Sequence, residues 1–131
     1  MVRAIFLFMH GDLTVAESPQ KAAASMEAVD VEAGEYEAIF DDSGVLYEPA
    51  VDGRKVARLL PTENRDYEDL VARLNAYGER AGLALPVGDP DLPVFAARCI
   101  AERAWQRRWP KRPGWLSRRL HDSGPPRFDN T

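Results

Sequence analysis

Residues 26–42, MEAVDVEAGEYEAIFDD, hold seven carboxylates and no base: Glu27, Asp30, Glu32, Glu35, Glu37, Asp41 and Asp42. Carboxylates at close spacing can chelate Mg²⁺ or Ca²⁺, share a proton as acid and base, or present a negative surface to a basic partner. The first chemistry needs an ordered ligand set. No twelve-residue window here supplies the alternating oxygen ligands, central glycine and terminal bidentate Glu of a calcium loop. Asp41-Asp42-Ser43-Gly44 is turn chemistry. The seven acids spread over a helix end, a loop and a strand, which suits a face better than a chelate. The base-free stretch runs further, from residue 22 to residue 53, with Glu48 and Asp52 added. Solubility alone is served by interspersed signs, so the surplus points to a docking face for a basic protein. Tyr36 and Tyr47 are the aromatic anchors expected within it.

The other reactive side chains stand apart. His10 and His121 have no His, Cys, Asp or Glu partner at zinc-ligand spacing, and His10 falls at a turn. Cys99 lies on the apolar side of a helical pattern with no histidine near it in sequence, the setting of an inert thiol. There is no phosphate-cradling glycine motif and no nucleophile elbow. No metal and no cofactor is expected, and no catalytic residue is assigned.

The second unusual segment is RAWQRRWPKRPGWLSRRL, residues 103–120. Its bases are Arg103, Arg107, Arg108, Lys111, Arg112, Arg118 and Arg119, interleaved with Trp105, Trp109 and Trp115. Arginines and aromatics together can bind a nucleic-acid backbone or an anionic membrane surface. They can equally pack tryptophans on a core and leave arginines in water or against the acidic half. An isoelectric point of about 5.2 is wrong for a dedicated nucleic-acid binder. The charge is nonetheless divided. Residues 1–92 carry 8 Lys+Arg against 18 Asp+Glu, a net of −10, and residues 93–131 carry 9 against 3, a net of +6.

The elements that must position these groups follow from periodicity. The apolar run Ala4–Met9 is too short for a signal peptide or a membrane span and reads as a buried strand. His10-Gly11-Asp12 turns it into LTVAE, an N-terminal hairpin. Ser18-Pro19 caps a helix through QKAAASMEAV, ending by Asp30 or soon after, since Gly34 punctuates the chain. In EYEAIFD the period becomes two, with Tyr36, Ala38 and Phe40 on one side, Glu35, Glu37 and Asp41 on a wet side, and Ile39 as an exception. VLYEPAV and RKVARLL, joined at Asp52-Gly53 and closed by Pro61, complete a three-stranded meander. Pro49 predicts an edge position or a bulge in the second of its strands. Asp66 opens a helix whose stripe is Tyr67, Leu70, Val71, Leu74, Tyr77 and Ala81, and Gly82 ends it. After the proline-rich 84–93, a third helix spans roughly 92–108, with Phe95, Ala96, Cys99, Ile100, Ala104 and Trp105 on its apolar part.

The fold class expected is α+β: an antiparallel sheet, hairpin plus meander, with three to four helices packed on one face. One domain covers 1–121, its basic Trp-rich helical part beginning near 92, and 122–131 is a loose tail. A single cysteine excludes an internal disulfide and suits a reducing cytoplasm.

From residue 11 to about 85 the chain resembles a group of small bacterial immunity proteins found beside polymorphic toxins. GDLTVAES, MEAVDVEAGEYEAIFDDSG and the closing helix DYEDLVARLNAYGERAGL carry the resemblance. It implies a non-catalytic inhibitor that binds a toxin. Three functions therefore stand: an immunity-type protein docking through the acidic face; a nucleic-acid or membrane-surface adaptor using Arg107, Arg108, Trp109, Lys111, Arg112, Trp115, Arg118 and Arg119; and a small enzyme.

Overall fold

The computed structural model describes residues 3–10 and 12–108, with Arg107 and Arg108 described by backbone alone. Nine elements follow in order: β1 (Ile5–Met9), β2 (Asp12–Ala16), α1 (Pro19–Ser25), α2 (Ala28–Glu32), β3 (Tyr36–Asp41), β4 (Val45–Val51), β5 (Ala57–Arg65), α3 (Tyr67–Ala81) and α4 (Leu92–Arg108). The strands form one sheet in the order β2-β1-β3-β4-β5, and every neighbouring pair is antiparallel. The α+β class and the hairpin-plus-meander sheet are as the sequence predicts.

β1 is apolar at every position because it is buried on both faces. Phe6 and Phe8 point to one side, where Phe40 joins them with Leu70 and Leu74 of α3 and Leu92, Ala97 and Ile100 of α4. Phe8 and Phe40 meet edge to face, with centroids 6.0 Å apart. Ile5 and Leu7 point to the other side and pack with Ile39, Tyr47, Ala57, Ala22 of α1 and Met26. The two long helices thus share one face, and the short α1 and α2 lie against the second cluster.

One continuous helix from Pro19 to about Asp30 does not form. Met26 takes an extended conformation, φ −87° and ψ 140°, and α2 starts two residues later. The break buries the Met26 side chain, which is 7% exposed. Burying such a side chain is worth about 1.5–3 kcal/mol, more than helix propensity at one or two positions.

The wet side expected for β3 does not run its length: Glu37 is exposed but Asp41 is buried. Phe8 opposes Ala38 but Met9 opposes Tyr36, so Glu37 is an extra residue on β3. Such a bulge reverses the alternation beyond it. Ala38 and Phe40 face α3 and α4, while Tyr36 joins Ile39 on the α1 side. β3 lies between β1 and β4, and Ile39, Phe40 and Asp41 are all buried.

β5 runs through Pro61 to Arg65 instead of closing there. It is the edge strand, and its register with β4 shifts between Val45 and Tyr47, settings in which a strand accommodates proline. Between β3 and β4 the pair in register is Phe40 with Leu46. Pro49 does not mark an edge strand: β4 lies between β3 and β5, and Pro49 pairs with Leu59 of β5 beyond the Phe40–Leu46 pair, clear of the register shift.

The α3 termini follow the sequence closely. Asp66 accepts the Asp69 N–H at 3.0 Å, and Gly82 ends the helix at φ 72°. In the β3–β4 turn, against the start of α3, Gly44 has φ 90°, and a Cβ there would fall 2.7 Å from the Tyr67 Cα. Along α4, Phe95 is 40% exposed and Ala104 is exposed, so its apolar side is narrower than expected. Arg103 donates to the Ala81 carbonyl and ties α4 to the end of α3. Trp109, Lys111, Arg112, Trp115, Arg118, Arg119, His121 and the tail 122–131 lie outside the described residues.

Candidate protein-docking face

The acidic run divides at β3. Asp41 is 3% exposed. Its Oδ1 accepts from the Ser43 N–H (2.9 Å), the Ser43 hydroxyl (2.6 Å) and the Val45 N–H (3.1 Å), and its Oδ2 accepts from the Tyr47 hydroxyl (3.3 Å). It is the buried organiser of the β3–β4 turn. Asp42 accepts from the Arg3 and Ala4 backbone N–H groups at 2.8 and 3.3 Å and from Arg3 Nε at 3.2 Å, with its side chain 6% exposed. Tyr47 is 8% exposed. Burial first, then Asp41 and Asp42, pushes its phenol above the ordinary range. Asp41, Asp42 and Tyr47 therefore leave the expected docking set: their polar atoms are spent inside the fold.

Glu37 has a third environment. The bulge turns it toward His10 of the β1–β2 turn, whose Nδ1 is 2.9 Å from Oε1, and toward Arg73 of α3 at 3.5 Å. Arg73 also holds Asp69 at 3.0 Å and lies over the Phe8 ring, 5.6 Å from its centroid. His10 thus has an acidic partner 27 positions away, a contact that adjacency in sequence cannot reveal.

What remains outward is the α2–β3 corner. Glu27 precedes α2 and makes no side-chain cap bond. Asp30 lies in the first turn of α2, and its carbonyl accepts the Glu35 N–H at 3.0 Å, closing the loop through Gly34 at φ 71°. Burial first, then the charges of Asp30 and Glu27, raises the Tyr36 phenol above its usual value. The half-buried ring therefore sits within the field of both acids. Val29 projects beside them, 64% exposed. The ion pairs among the described residues leave Glu27, Asp30 and Glu35 without a base. Glu32 alone at this corner is matched, by Lys55 at 2.9 Å. Exposed Val29 signals an apolar centre that charge counting does not find.

Such a corner can attract a cation-bearing surface and give it one apolar contact. Among the described residues no three or more His, Cys, Asp or Glu side chains group as metal ligands. Cys99 is half-buried, and burial raises its thiol while Arg98 partly offsets that, away from nucleophilic character. No described helix is long and apolar enough to cross a membrane. Comparison with family models, curated proteins and solved structures finds no match to this chain.

Proposed function

We propose that this chain is a non-catalytic protein-binding module, an immunity-type protein that neutralises a basic toxin in the cytoplasm through its α2–β3 corner. The observation that carries the reading is the grouping of Glu27, Asp30 and Glu35, unmatched by any base among the described residues, around exposed Val29. A charged rim about an apolar contact is the usual anatomy of an interface. Opposite potentials steer encounter and reject partners of the wrong sign. Tyr36 serves as the aromatic neighbour of that rim, and Glu32 and Glu37 act from its margins, each already holding a base of its own.

The test is capture of the partner by the full chain at about 50 and 500 mM salt, where screening differs several-fold in range. Capture should be lost at high salt and on reversal by Glu27→Lys with Glu35→Lys. Normal binding by the reversed protein would reject this corner. A neighbouring gene for a secreted protein with a toxic C-terminal domain would identify the partner. Adaptor binding through Arg107 to Arg119 predicts instead that removing residues 109–131 abolishes binding while charge reversal at α2 has no effect.

A further inference from the structure

The hairpin between β4 and β5 is where the base-free stretch ends, and its tip has an unusual conformation. Asp52 Oδ1 accepts from the Arg54 N–H (2.9 Å) and the Val56 N–H (3.1 Å), and the Asp52 carbonyl accepts the Lys55 N–H (3.0 Å). The two bonds to Oδ1, the Val56 one foremost, draw the Asp52 carboxyl below its ordinary range. The turn closes with Lys55 at φ 61°, the one non-glycine residue at positive φ among the described residues. A three-residue hairpin loop needs a left-handed residue at that place, and glycine or asparagine takes it with least strain. Gly53, the residue whose type suits that conformation, is not at positive φ. Lysine is therefore a poor choice for the backbone, and what it adds lies in its side chain. That side chain reaches across to α2, where Nζ sits 2.9 Å from Glu32 Oε1. Both partners are exposed, 74% and 50%, so the pair is held loosely and opens readily.

We infer that Lys55 is an internal competitor at the α2–β3 corner: its ammonium occupies Glu32 in the free protein and is displaced by a base of the docking partner. This rests on the docking reading above and adds a threshold to it. A weakly basic surface does not outbid the tethered ammonium, whereas a surface presenting several bases does.

The probe is N-acetyl octalysine, titrated calorimetrically into the full chain at about 20 mM salt, where exposed charges are least screened. Lys55→Asn and Lys55→Gln should each bind it about two- to fivefold more tightly than the parent, the range set by the loss of one exposed ion pair. Lys21→Gln makes the same change of net charge at α1, where Lys21 holds Glu17 at 3.0 Å, and should leave the affinity nearly unchanged. Lys55→Asn should also raise Tm by a few degrees, since asparagine tolerates the left-handed turn, and Lys55→Gln should not. Unchanged affinity in both Lys55 variants, or an equal gain in Lys21→Gln, overturns the inference and leaves Lys55 as charge balance. Octalysine binding that ignores Glu27→Lys with Glu35→Lys overturns the docking reading, and this inference with it.

Discussion

Glu35 and Asp41 stand six residues apart in one acidic run, on either side of the Glu37 bulge, and they meet opposite surroundings. Asp41 is buried and accepts four hydrogen bonds from the turn that follows it and from Tyr47. Glu35 is half-buried, and no ion pair among the described residues gives it a base. A carboxylate that satisfies backbone donors builds the fold, and one that satisfies nothing inside is left for solvent or a partner. Negative charge density along a sequence therefore measures no single property. Its two ends here divide between architecture and surface.

The sharpest way to break that contrast is Asp41→Ala. It orphans the part-buried Ser43 and Val45 N–H groups and the buried Tyr47 hydroxyl, and should cost about 3 kcal/mol in denaturant unfolding. A loss below about 1 kcal/mol would show that water replaces the carboxylate. Gly44→Ala attacks the same turn from its backbone. Strain at φ 90° and the approach to Tyr67 should together cost about 2–3 kcal/mol, read as a lower denaturation midpoint with an unchanged slope.

Tyr47→Phe should cost about 1 kcal/mol near neutral pH. It should also alter the alkaline limb. Burial and nearby acids hold the Tyr36 and Tyr47 phenols above their ordinary range. The folded chain keeps protons that the unfolded chain releases near pH 10, so stability is complete below about pH 10 and falls as the pH rises past it. Removing the Tyr47 phenol should flatten that fall, and an unchanged slope would assign it to Tyr36. The smallest effect on stability is at the outward end: Glu27→Lys and Glu35→Lys should each stay within about 0.5 kcal/mol of the parent. A larger loss there would make the corner structural and erase the contrast.

The sequence is most legible where local chemistry decides. Asp66 and Gly82 bound α3 as their side-chain types require, and the Asp52-Gly53 pair marks the hairpin, although the left-handed residue turns out to be Lys55. It is least legible where a distant element decides. The α1–α2 break depends on a hydrophobic cluster waiting for Met26. The inward turn of Asp41 depends on β3 being central, and Ile39, the exception to the simple alternation, was its one local sign. Of the nine expected docking residues, Glu27, Asp30, Glu32 and Glu35 belong to α2 and its flanks, where no strand pairing constrains the acids, and Glu37 is outward as the extra residue of the β3 bulge. Asp41 and Asp42 are drawn inward by donors at Ser43, Val45, Arg3 and Ala4, and the Tyr47 hydroxyl donates to Asp41, contacts that no charge count reveals.

One short helix has a mechanical consequence. β3 and β4 share one pair in register, so the sheet has a seam between its β2-β1-β3 part and its β4–β5 hairpin. α1 leaves the β2 edge and packs on β5 at the opposite edge, with Ala22 and Met26 set among Ile5, Ile39, Tyr47 and Ala57. It works as a strap over the seam. Peeling the hairpin away must lift α1 as well, so amide protons on both sides of the seam should exchange through one shared opening instead of two independent ones.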